Sequence, residues 1–112
     1  MSADEKLDVY AKVSDMSKYL RKSIEQMPKY YRYDIGDEIK KLLRDIKFKA
    51  YLLQWKDCSE ELYFMLQHLK ILLDECIDDG ILLMSGKYTI FEPRKILDTV
   101  LSLTQPKVDG QK

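Results

Sequence analysis

The stretch MPKYYRYDIGDEIKKLLRDI, residues 27–46, decides how the chain is laid out. Pro28 has no backbone N–H to offer a helix and pushes Met27 away from helical geometry, so a helix arriving from the N-terminal side stops here. Lys29 to Tyr33 then crowd three tyrosines and two cations into five residues. From Ile35 a new pattern begins, in which Ile35, Ile39, Leu42, Leu43, Ile46, Ala50 and Leu53 share one face of a helix. The spacing predicts a helix, a corner and a second helix.

Working outward, the first helix is expected over residues 4–27. Ser2 and Glu5 have the spacing of a capping box, and Leu7, Tyr10, Val13, Met16, Leu20, Ile24 and Met27 form its apolar stripe. Small side chains at Ala11, Ser14 and Ser17 would let a neighbouring helix come close, and the polar face alternates in sign as solvated faces do. The second helix is expected over 31–55. It carries an extra apolar set, Phe48, Tyr51, Leu52 and Trp55, off its core face. A helix apolar on two sides is either deeply buried or touches a partner, so this set reads as a wide core stripe or as a subunit interface.

Asp57 or Ser59 can cap a third helix, with Glu60 and Glu61 in its first turn and Leu62, Met65, Leu66, Leu69, Leu72, Leu73 and Cys76 on its core face. It ends near Asp79, and Gly80 suits the left-handed residue that closes a helix. Residues 81–92 are open to two readings. One is a β-hairpin around Ser85-Gly86; the other is a short connection into a fourth helix from about residue 86, kinked or restarted near Pro93. The second is the expectation, with Ile96, Leu97, Val100, Leu101 and Leu103 as its apolar face. The fold class that results is all-α, an antiparallel up-down-up-down four-helix bundle over residues 1–105, followed by a disordered polar tail at 106–112.

Composition excludes several function classes. At 112 residues, 46% hydrophobic and 34% charged, the chain suits one domain of amphipathic helices. Cys58 and Cys76 with a single histidine, His68, fall short of the four ligands of a structural zinc site and read as two reduced thiols. His68 itself reads as a partly buried helix residue. Ser85-Gly86-Lys87 lacks the flanking residues of a phosphate loop, and Asp74, Glu75, Asp78 and Asp79 lack calcium-loop spacing. No nucleophile–base constellation stands out, so the expectation is a non-enzyme with no cofactor and no metal. Without an apolar signal region or a run of membrane-spanning length, a cytoplasmic location with no membrane partner is expected.

Net charge is zero but unevenly spread. Residues 27–56 hold eight cations against four anions, a net +4, while residues 57–84 hold one against seven, a net −6. Lys40, Lys41, Arg44, Lys47 and Lys49 lie on the second helix, with Lys29 and Arg32 just before it. Lys40, Arg44 and Lys47 share a face, and Tyr30, Tyr31 and Tyr33 could stack on exposed bases. The set reads as a nucleic-acid-binding face, as an ordinary solvated face, or as the positive partner of the acidic third helix.

The corner carries a resemblance. Met27-Pro28-Lys29, then Arg32-Tyr33, then Ile35-Gly36 and Ile39 resemble the F-P-K-x-x-R-Y-x-L-G-x-x-I corner of small four-helix-bundle proteins, with Met27 in place of Phe and Ile35 in place of Leu. That family comprises the ribosomal-RNA intervening-sequence proteins and the accessory variability determinants of diversity-generating retroelements. The resemblance implies a four-helix bundle, a homopentameric ring and a role as an accessory to a reverse transcriptase and to structured RNA or DNA. Under it, Lys29, Arg32, Tyr33, Lys40, Lys41, Arg44 and Lys47 would meet nucleic acid, and Phe48, Tyr51, Leu52 and Trp55 would meet the next subunit. The alternative is a homo-oligomeric interaction scaffold that binds no nucleic acid.

Overall fold

The computed structural model describes residues 1–84 and 89–106. Among these the regular elements are helices: α1 (Ala3–Glu25), the single turn α2 (Lys29–Arg32), α3 (Ile35–Leu52), α4 (Ser59–Asp78) and α5 (Phe91–Thr104). The four long ones form a bundle in which α1 and α4 each pack against α3 and α5. Tyr10, early in α1, sits edge-on to Tyr51, late in α3, at 6.1 Å, whereas Ile24, late in α1, lies against Gly36 at the start of α3. Those contacts run α1 and α3 in opposite directions. Lys49 of α3 meets Glu61 of α4 at one end of the bundle, and Asp74 of α4 meets Arg94 of α5 at the other. The result is the expected up-down-up-down order.

The core is a continuous aliphatic column. Val9, Val13, Met16, Leu20 and Ile24 of α1, Ile39, Leu43 and Ile46 of α3, Leu62, Leu66, Leu69 and Leu73 of α4, and Leu97 and Val100 of α5 are fully buried. Leu7, expected in the α1 stripe, is 53% exposed, and Val9 takes the inward position. Ser17 and Ser23 are buried beside the aliphatic residues. The Ser23 hydroxyl donates to the Thr89 carbonyl at 3.1 Å, tying α1 to the segment before α5.

Backbone chemistry sets the helix boundaries. Ser2 Oγ accepts from Glu5 N–H and Glu5 Oε1 accepts from Ser2 N–H, so the capping box is present; the bonds from Ser2 hold the Glu5 carboxyl below its ordinary pKa. Pro28 stands at the N-cap of α2, which makes the corner one turn of helix rather than a loop, and α3 itself begins only at Ile35, four residues later than the predicted 31. A Cβ on Gly36 would come 3.0 Å from Ile24 Cγ2, so the missing side chain is what lets α3 leave the corner hard against α1. Asp57 Oδ1 accepts from the N–H and hydroxyl of Ser59, opening α4. At its other end Gly80 (φ 73°) closes a Schellman turn, with Ile81 N–H donating to Cys76 O and Gly80 N–H to Ile77 O.

The last connection departs from expectation. α5 begins at Phe91, not near residue 86, and Pro93 lies in its first turn, where a helix N–H has no internal partner to lose. Ile81–Met84 form an irregular, bent segment rather than a strand, and Ile90 N–H donates to Leu83 O at 3.0 Å. The rest of the alternative hairpin, with Ser85-Gly86-Lys87, lies outside the described residues, as does the tail from residue 107. Among the described residues no helix is long and apolar enough to cross a membrane.

Candidate nucleic-acid interface

At 100° per residue, Lys40, Arg44, Lys47 and Tyr51 (i, i+4, i+7, i+11) run as one stripe along α3, with Lys41, Phe48 and Trp55 on its outer border. Lys41, Arg44 and Lys47 are exposed and Lys40 is half-buried. Phe48, Tyr51 and Trp55 are 63%, 47% and 66% exposed, and the Tyr51 and Trp55 rings pack at 4.7 Å, tilted by 50°. The cations and the aromatics, read from sequence as two separate surfaces, therefore share one face. A shallow groove between α1 and α3 shows the mixture directly: Tyr10, Arg44, Lys47, Phe48 and Tyr51 line it. Leu52 departs from this face. It lies on the α4 side of the helix, half-buried against the core.

The α1 cations beside this groove were missed in sequence, where the polar face read as solvated surface and Ser14 and Ser17 as small residues admitting a close helix. Tyr10, Ser14, Ser17 and Arg21 repeat the i, i+4, i+7, i+11 spacing of the α3 stripe. In the antiparallel register fixed by the Tyr10–Tyr51 and Ile24–Gly36 contacts, Arg21 stands opposite Lys40, with Lys18 one turn away. The repeated spacing was the available signal.

These cations are electrostatically free. Among the described residues, Lys18, Arg21, Lys40, Lys41, Arg44 and Lys47 have no ion-pair partner. Lys49 is different: its Nζ lies 2.7 Å from Glu61 Oε2, which raises the lysine's pKa and lowers the glutamate's. Pairing of the basic helix with acidic α4 thus describes Lys49 and not the stripe.

At the corner, Lys29 is exposed, and Tyr30 and Tyr33 are 77% and 65% exposed. Tyr31 packs edge-on to Tyr30 at 5.4 Å. Arg32 is half-buried: its Nη2 donates to Met27 O at 3.5 Å, its Nε is buried without a hydrogen-bond partner, and its guanidinium lies 6.0 Å from the Tyr33 ring. The arginine braces the corner, leaving Lys29, Tyr30 and Tyr33 as the accessible groups.

Groups with catalytic potential are not assembled among the described residues. His68 is exposed, not partly buried as expected, because it lies on the outer side of α4. Cys58 and Cys76 are free and buried; burial raises both thiols, that of Cys76 to about 11. Among the described residues no group of three His, Cys, Asp or Glu side chains is placed to hold a metal. Comparison of the chain with protein-family models, with curated proteins and with solved structures finds no match.

Proposed function

We propose that this chain is a non-enzymatic, cytoplasmic four-helix-bundle accessory protein that associates with nucleic acid through the α1–α3 face. The resemblance at the corner gives the setting, beside a reverse transcriptase of the retroelement type or a ribosomal-RNA insert. The observation that carries the reading is the row of cations along the α1–α3 face, Lys40 and Lys47 of α3 with Lys18 and Arg21 of α1, none of them paired among the described residues. Cations without internal partners are free to neutralise phosphates, and release of condensed counterions then drives binding even from a chain of zero net charge. Tyr30 and Tyr33 add sequence-tolerant stacking on unpaired bases. Contacts of this kind position a nucleic acid without reading its sequence.

The test is filter retention of a structured RNA across a salt series. Wild type should retain it near ~50 mM salt and lose it steeply as salt rises. Replacing Lys18, Arg21, Lys40 and Lys47 by Gln should weaken retention at every salt concentration and flatten the log–log salt slope by roughly 3 to 4, the share of four phosphate contacts. Absence of wild-type retention at low salt, or undiminished binding by the variant, would overturn the proposal. The exposure of Phe48, Tyr51 and Trp55 supports a second reading, a homo-oligomeric interaction scaffold, which the resemblance extends to a ring of five.

A further inference from the structure

We infer that the outer face of α4 is the docking surface for the outer face of α3 in a second copy of this chain. Along α3 and the turn that continues it, the exposed residues Lys41, Arg44, Phe48, Tyr51 and Trp55 follow one another at steps of three, four, three and four. Helical hydrogen bonding reaches the last of them, since Lys56 N–H donates to Leu52 O at 3.1 Å. Read backwards along α4, the exposed residues Asp78, Glu75, Ile71, His68 and Phe64 follow the same steps. Both are the spacing of helices that meet along a seam.

Antiparallel docking brings the two series together position by position. Phe48 meets Ile71 and Trp55 meets Phe64, so the large apolar side chains left exposed on both helices cover one another. Tyr51 meets His68. Arg44 then faces Glu75, and Lys41 faces Asp78. None of these four charged groups has an ion-pair partner within its own subunit among the described residues. Parallel docking with Phe48 still on Ile71 puts Trp55 against Asp78 and Lys41 against Phe64, which buries charge under apolar rings and leaves both unpaired. The antiparallel register is the one the charges permit.

The occupant is a copy of this chain because both halves of the match are carried here, and they cannot meet within one subunit. α3 and α4 already face one another through Lys49 and Glu61 on their flanks, with the two series turned outward. Since the two surfaces differ, the contact is head-to-tail: each copy offers α3 to one neighbour and α4 to the other. Lys18, Arg21, Lys40 and Lys47 lie to the α1 side of it and stay open to phosphates. The docking does not depend on nucleic-acid binding, and the two can be tested apart.

The experiment is light-scattering mass at micromolar concentration, with circular dichroism confirming that each variant is folded. Wild type should exceed the 13.3 kDa of one chain severalfold. Lys41→Glu with Arg44→Glu should fall to the monomer mass, as should Glu75→Arg with Asp78→Lys. All four replacements in one chain, or an equimolar mixture of the two variants, should regain the larger mass. Ile71→Asp should be monomeric with no charge swap restoring it. A monomeric wild type, double variants that keep full mass, or a quadruple variant that stays monomeric each overturns the inference. Ile71→Asp, which adds no cation, should still retain RNA as a monomer, so loss of assembly and loss of the nucleic-acid reading give different results.

Discussion

Replacing Gly36 by Ala tests how tightly the corner is built. A methyl there would lie 3.0 Å from Ile24 Cγ2 and 3.4 Å from Met27 Sδ, against about 3.5–4.0 Å for comfortable carbon contacts. Ile24 is fully buried, and a β-branched side chain in a helix has essentially one rotamer, so it cannot swing aside. Ala gains at most about 1 kcal/mol of helix propensity over Gly. Overpacking of a closed contact costs about 1–3 kcal/mol, so the net change should be a loss of about 1 kcal/mol. A second variant fixes the cause. In an Ile24→Ala background, itself destabilised by about 2–5 kcal/mol, the offending methyl is gone. There Gly36→Ala should become stabilising by up to about 1 kcal/mol, a reversal of sign that only direct contact explains. Urea unfolding followed by circular dichroism measures both. If Ala at position 36 stabilises the chain with Ile24 intact, the close approach has slack and the argument fails. Gly80→Ala is the comparison: its Cβ meets nothing within 4 Å, and its cost of about 1 kcal/mol would come from the φ of 73° alone.

Two further expectations concern the core. Leu66→Ala, at a fully buried position, should lower unfolding stability by about 2–5 kcal/mol in the same assay, and a loss below 1 kcal/mol would mean the column is loosely packed. Burial raises the Cys76 thiol to about 11 from 9.0, so the unfolded chain gives up that proton at lower pH than the folded one. Its contribution is complete below pH 9 and is lost as pH climbs towards 11. Cys76→Ala should therefore lose stability less steeply over that interval, and equal slopes of urea midpoint against pH would refute the assignment.

What was legible in the sequence was written in backbone constraints. Ser2 with Glu5, Pro28 and Gly80 each act through their own N–H, ring or missing Cβ, and each marks a boundary seen in the structure. The start of α5 was misplaced although Pro93 carried a signal: Pro fits a first turn and costs about 3 kcal/mol deeper in a helix, which favours a start close to residue 93 over one near 86. The choice of Val9 over Leu7, by contrast, was hidden. Both fit steps of three and four, and only the placement of α3 and α5 decides which points inward. The functional face was half legible: the α3 cations and aromatics were found, but their merging into one surface with Lys18 and Arg21 depends on the register of α1 against α3.

The wiring of the bundle has a kinetic consequence. Of the four seams between long helices, three join partners consecutive along the chain, and only α1 with α5 joins its extremes. Hairpins of consecutive helices close short loops at little entropic cost, so most native contacts are of low contact order and form early. The chain's one expensive closure falls at the α1–α5 seam, where Ser23 reaches Thr89 and Lys12 lies across from Lys95 and Thr99. Substitutions confined to the α1–α5 seam should then act chiefly on the unfolding rate and leave the folding rate nearly unchanged.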